Sequence, residues 1–136
     1  MAAAEVGLAA ERPTVLIVED EVLIRLMVAD ELRTAGLHVL EASNADEAWT
    51  ILESSLPVQL LFTDIHMRGR MSGFELARLV RERYPSLKVV ITSSREPASG
   101  IGGVADAFIG KPYDLRAVVE QVQTLLTRSS NDDRKP

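Results

Sequence analysis

Polar and apolar positions along this chain fall into a repeating order. Short apolar runs, each closing on polar residues, alternate with longer stretches of helical period. Thr14-Val-Leu-Ile-Val18 closes on Glu19-Asp20-Glu21, and Leu60-Leu-Phe-Thr63 runs straight into Asp64. Leu37 to Ala42, Leu87 to Ile91 (followed by Thr92-Ser93-Ser94) and Asp106 to Ile109 (followed by Gly110-Lys111-Pro112) complete the set. Runs that are apolar or β-branched without alternation predict strands covered on both faces, as in parallel sheets between helices. The five expected strands lie at 14–18, 37–42, about 58–63, 87–91 and 106–109.

Between the runs the period becomes that of a helix. Val22, Leu23, Leu26, Met27 and Leu32 give the apolar stripe of a first helix over about 22–35, with Gly36 as its stop. Asn44 with Glu47 three residues on starts a second helix, whose Ala45, Ala48, Trp49 and Leu52 share a face. Ser54 to Pro57 end it. Ser72 with Glu75 forms another capping box, opening a helix to about Tyr84 that Pro85 stops. Leu115, Val118, Val119, Val122, Leu125 and Leu126 mark a last helix over about 113–127. The fourth helical slot, Arg95 to Gly103, is poor. It holds Pro97, Gly100, Gly102 and Gly103, each disfavouring a helix interior by about 1–3 kcal/mol. Weak propensity predicts the lowest amide-exchange protection of the domain there.

No two strands are joined by a hairpin-length loop, so the crossovers are helical and the sheet parallel. The expected architecture is α/β: a doubly wound five-stranded parallel sheet of order 2-1-3-4-5 with five helices. Residues 13–128 form the one domain, and 1–12 and 129–136 are expected to be flexible tails.

Composition narrows the function classes. The net charge of −5 argues against direct nucleic-acid binding through the bulk surface. The absence of cysteine excludes disulfides, thiolate metal sites and thiol nucleophiles. No apolar run approaches the roughly 20 residues needed to span a bilayer, so no membrane partner is expected. The apolar-leaning N-terminus has no basic leader before it, which makes the cytoplasm the expected compartment.

The chemistry sits where strands end. In the 2-1-3-4-5 order, strands one and three are neighbours at the switch point, the usual ligand crevice of such sheets. Glu19, Asp20 and Asp64 then crowd one edge, joined by Thr92 from strand four and Lys111 from strand five. Like charges at short range raise one another's pKa unless a cation intervenes. An oxygen-only donor set suits a hard cation, and Mg²⁺ with several waters fits best. Such a site is built for phosphoryl transfer, with Asp64 as nucleophile and Lys111, Thr92 and the metal offsetting phosphoryl charge.

Val15-Leu-Ile-Val-Glu-Asp20, Phe62-Thr-Asp64, Ile91-Thr92-Ser93 and Phe108-Ile-Gly-Lys111-Pro112 occur in the order and spacing of one family. The chain resembles the receiver domain of bacterial two-component response regulators, of the single-domain, chemotaxis-regulator-like kind with a flavodoxin-like fold. The resemblance implies that Asp64 accepts a phosphoryl group from the phosphohistidine of a histidine kinase or phosphotransfer protein. It implies Mg²⁺ on Asp20, Asp64 and the backbone carbonyl of His66, with Glu19 acting mainly through water. Thr92 and Phe108 would be the switch pair, shifting the face of fourth helix, fifth strand and last helix toward a downstream protein. Lys111-Pro112 would be a cis bond. A domain of this kind is a switch with slow autodephosphorylation at most, not an enzyme acting on other substrates, and is a monomer or a phosphorylation-dependent dimer.

Departures from the pattern matter. Where the family often has Met-Pro after the acceptor, Arg68 stands in place of the proline, and Gly73 comes nine residues after Asp64 rather than eight. His66 and Ser94 lie close enough to Asp64 and Thr92 in the chain to tune dephosphorylation. Arg68, Arg70 and Arg95 read as solvated loop residues, Glu21 as a first-turn partner of the helix dipole and Trp49 as core.

Three rival classes fit these residues less well. A phosphatase with an Asp nucleophile wants a second carboxylate where His66 stands. A flavin or nucleotide site wants an anion cradle where Glu19-Asp20-Glu21 would repel phosphate. A pseudo-receiver that binds partners without phosphorylation would not need the full acidic, hydroxyl and lysine set.

Overall fold

A computed structural model describes residues 12–95 and 101–133, with side chains described as far as Arg128. Five strands form one parallel sheet of order β2-β1-β3-β4-β5, as expected. They are β1 (Thr14–Val18), β2 (His38–Ala42), β3 (Leu60–Asp64), β4 (Lys88–Ser93) and β5 (Ala107–Gly110). The helices are α1 (Val22–Thr34), α2 (Ala45–Glu53), α3 (Gly73–Arg83) and α4 (Leu115–Asp133).

Four α-helices stand among the described residues, where five were expected. Among the described residues the fourth slot holds a 3₁₀ turn, Ile101–Gly103, while 96–100 lie outside the described residues. The last helix begins at Leu115 and runs past its expected end at 127 to Asp133. Part of the expected C-terminal tail is thus helical, and the expected N-terminal tail lies, but for Arg12, outside the described residues.

Each strand divides its side chains between the two faces. From β1, Leu16 and Val18 join Ala48, Leu52, Leu76 and Val80 of α2 and α3. Val15 and Ile17 join Val28, Leu32, Val118 and Val122 of α1 and α4. β3 is buried at every position, including its terminal Asp64. Trp49 packs half-buried against the first cluster, 6.1 Å from the Tyr84 ring.

The helix caps follow the sequence with one variation. Ser72 and Glu75 make the full reciprocal box at the start of α3. At α2, Asn44 caps Glu47 N–H, but the Glu47 carboxylate accepts from the amide of Ser43 rather than that of Asn44. Gly36 ends α1 at φ +96°, where a side chain would be strained.

Of the apolar stripe expected of α1, only Leu32 is buried. Val22, Leu23, Leu26 and Met27 are exposed, and Val28, Ala29 and Leu32 are the buried residues. Nearly the whole circumference of the first two turns is apolar, so period alone does not select the face. The sheet takes the side with small Ala29, which lets the helix approach closely.

Candidate phosphoacceptor site

β1 ends at Val18, so Glu19 and Asp20 start the turn into α1 beyond the carboxyl edge of the sheet. Glu19 is 3% exposed and Asp64 7%. One carboxylate oxygen from each of Glu19, Asp20 and Asp64 lies within 4.8 Å of the others. Lys111 reaches this cluster from the end of β5, helped by a cis Lys111-Pro112 bond and by its amide donating to Ser93 O at 2.8 Å. Its Nζ donates to Glu19 Oε1 at 2.8 Å and to Asp64 Oδ2 at 3.2 Å.

Burial pushes the Glu19 carboxyl up, more than its bonds to Lys111 and the Glu21 amide pull it down. Burial works against the Lys111 ammonium too, but its bond to Glu19 and the charges of Asp64 and Glu19 outweigh it and leave its pKa raised. Three carboxylates face one ammonium, a net of minus two, which one divalent cation would balance. The donor set is all oxygen, as Mg²⁺ requires.

β4 lies beside β3 with Thr92 in register with Asp64. Thr92 is 1% exposed, and among the described residues its hydroxyl has no hydrogen-bond partner. A buried unpaired hydroxyl costs about 1–3 kcal/mol. Phe108 is in register with Ile91, one residue before Thr92, and packs half-buried against the core cluster that contains Leu16 and Ile91.

The loop after Asp64 absorbs its extra residue without moving Gly73 from the strand end. Gly69 takes φ +119°, a conformation that favours glycine. Gly73 N–H donates to Ile65 O at 2.9 Å. Arg68, not being proline, has an amide to offer, and it lies 3.4 Å from Asp20 Oδ2. His66 is exposed and lines an open basin with Asp20, Ile65, Met67, Arg68 and Ser72. Ser94 is exposed and lines a different, mostly apolar cavity with Met27, Lys111 and Tyr113.

Two features escaped sequence reasoning. Arg25 of α1 donates through Nη1 to the Glu19 carbonyl at 2.8 Å, a contact between elements that no local pattern announces. Tyr113 sits edge-on to Phe62 with an unpartnered buried hydroxyl, and burial first of all pushes its pKa up to about 12.

An acidic crevice with a lysine and a buried hydroxyl lies at the switch point of a 2-1-3-4-5 sheet. Residues 15–123 match the model of the response regulator receiver domain. The chain belongs to that family, the receivers of two-component signalling. The phosphate regulon transcriptional regulatory protein PhoB of Pseudomonas aeruginosa is 33% identical over 126 residues, covering 88% of this chain and 54% of that protein. The aerobic respiration control protein ArcA of Escherichia coli K12 is 32% identical over 124 residues, covering 89% of this chain and 51% of that protein. The chain spans about half the length of these curated relatives.

Solved structures agree. The response regulator TrrA of Thermotoga maritima, crystallised with Mg²⁺ and BeF, matches with a TM-score of 0.76 at 27% identity, over 83% of this chain and 98% of that one. A CheY-like receiver of Methanospirillum hungatei reaches a TM-score of 0.83 at 24% identity, over 90% and 99% of the two chains, a likeness of fold.

Proposed function

We propose that this chain is a phosphorylation-activated switch whose acceptor is Asp64. An Asp64 oxygen attacks the phosphorus of a phosphohistidine on a histidine kinase or phosphotransfer protein. The P–N bond breaks, its electron pair returns to the imidazole, which takes up a proton, and an acyl phosphate forms. Asp20, Asp64 and the His66 carbonyl would hold Mg²⁺, with Glu19 acting through water. The metal, when bound, supplies charge that offsets the phosphoryl oxygens. Lys111, already bonded to Asp64, pairs with one phosphoryl oxygen, and the Thr92 hydroxyl donates to another.

The observation that carries this reading is the pairing of Asp64 with Thr92. An acceptor carboxylate and a buried, unpartnered hydroxyl stand in register on neighbouring strands. As Thr92 turns to the phosphoryl group, Phe108 follows, and the surface of the fourth slot, β5 and α4 changes for a downstream protein. This is a population shift, driven by contacts made only in the phosphorylated state.

The exposed apolar face of α1 supports a protein donor. Val22, Leu23, Leu26 and Met27 are at least 46% exposed. Met27 shares a cavity of about 320 Å³ with Lys111, Pro112 and Tyr113, so this apolar surface is continuous with the edge of the acidic crevice. A partner helix carrying the phosphohistidine would cover it.

The test is incubation with acetyl phosphate and Mg²⁺, read by intact mass. One added phosphoryl group on the wild type, absent without Mg²⁺ and absent in Asp64→Asn, is the expected result. No adduct, together with no binding of beryllium fluoride, would leave a module that works without phosphorylation.

A further inference from the structure

We propose that Arg25 is a positioning residue for the acidic crevice, clamping the turn that presents Glu19 and Asp20. The inference rests on the Mg²⁺ site proposed above.

The turn after β1 places three acidic residues in succession, Glu19-Asp20-Glu21. Their charges repel one another and Asp64, so the turn tends to open. Within this turn Lys111 holds the Glu19 side chain, Glu19 N–H donates to Ala42 O at 3.1 Å and Glu21 N–H to Glu19 Oε2 at 3.0 Å, and none of these contacts takes the Glu19 carbonyl. The Arg25 side chain holds the backbone at the start of the turn, where its guanidinium Nη1 donates to Glu19 O at 2.8 Å. The end of the turn is fixed by the first bond of α1, from the amide of residue 25 to Glu21 O at 3.0 Å, which any side chain at 25 would allow.

The guanidinium is itself aimed. Arg25 Nε donates to Glu41 Oε1 of β2 at 3.2 Å, and its side chain is only 16% exposed. Glu41 occupies the strand edge in register with Ile17, two residues before Glu19. A planar fork with two donors in fixed relation suits this double task, which the single ammonium of a lysine does not. Glu41 also takes Arg33 Nη1 at 3.2 Å through its other oxygen. Arg33, however, gives its remaining contact to Val39 O and none to the turn. The two arginines share one carboxylate, but Arg25 alone of the pair touches the crevice.

A turn fixed from behind delivers its carboxylates in register for a cation. Loosened, it must be ordered when the cation binds. Partners behind a metal's ligands commonly change its affinity by 10- to 100-fold. Arg25→Met is therefore expected to weaken Mg²⁺ binding, measured calorimetrically, by about tenfold. Arg33→Met, which loses the same carboxylate partner, is expected to bind Mg²⁺ as the wild type does. Arg25→Lys, which keeps one donor for Glu19 O, should fall between.

Exchange of the Glu19–Glu21 amides without Mg²⁺ gives a second reading, faster in Arg25→Met and unchanged in Arg33→Met. Wild-type Mg²⁺ affinity in Arg25→Met, or equal weakening in Arg33→Met, overturns the proposal. Should Arg25→Met fail to fold, wild-type affinity in Arg25→Lys overturns it instead. If the wild type binds no Mg²⁺, the metal-site reading fails, and the amide exchange still decides whether Arg25 clamps the turn.

Discussion

The backbone of Gly73 lies so close to that of Asp64 that a Cβ on Gly73 would overlap the Asp64 carbonyl oxygen. Thr63 Oγ1 crowds the same point and donates to that carbonyl at 2.9 Å. The acceptor's backbone is thus wedged between its own strand and the start of α3. Gly73→Ala must push the Asp64 carbonyl or the helix aside. Overpacking of this kind costs about 1–3 kcal/mol. A thermal melt should show that loss, and the yield of phosphorylated protein should drop with it. An Ala variant that melts and phosphorylates like the wild type would contradict the close approach.

Thr92→Val replaces a buried unpaired hydroxyl by a methyl group of similar size. Unmodified, the variant should be as stable as the wild type or up to about 1 kcal/mol more so. The phosphorylated state loses a donor it needs. The stabilisation produced by beryllium fluoride with Mg²⁺ should therefore shrink, as calorimetry would show. A large loss of stability in the unmodified variant would mean that the hydroxyl has a partner.

Lys111→Met leaves Glu19 and Asp64 beside each other without their cation. Removing one partner of a buried ion pair costs about 3–5 kcal/mol. The loss should be largest in chelator and smaller in saturating Mg²⁺, because the metal supplies part of the missing charge. Equal losses in both buffers would count against a metal held by these carboxylates.

Tyr113 gives the chain an alkaline signature. Its phenol is raised from 10.0 to about 12 in the folded protein, chiefly by burial. Between those values the unfolded chain ionises first, so stability falls as pH rises through that window. Lys111, also raised, adds to the loss at high pH in wild type and variant alike. Tyr113→Phe should lose stability less steeply above pH about 10, and should be slightly more stable at neutral pH because no buried hydroxyl is left unpaired. Chemical denaturation across that pH range measures both effects.

Much of this architecture is legible in the chain because its strands are unbroken apolar runs with polar residues at their ends. Asp64, Thr92 and Lys111 stand out as the first polar chemistry after buried runs, and the sheet brings those ends together. The stripe of α1 is not legible, since Val22 to Met27 offers apolar residues on several sides and only the sheet decides which are covered. The Arg25–Glu19 contact is not legible either, because its geometry depends on how α1 leans on β2. The unpaired hydroxyl of Tyr113 depends on what surrounds it in three dimensions. Of the fourth slot, read as a poor helix from its glycines, the structure describes Arg95 and the 3₁₀ turn Ile101–Gly103.

The central claim is that Asp64 carries the phosphoryl group. The most direct measurement treats the acetyl phosphate reaction product with borohydride, which reduces an acyl phosphate to an alcohol, and locates the changed residue by peptide mass. The account predicts homoserine at position 64 in the sample with Mg²⁺, and none in chelator or in Asp64→Asn. Reduction at Glu19 or Asp20 instead, or an unchanged position 64 in protein that has gained a phosphoryl group, would contradict it.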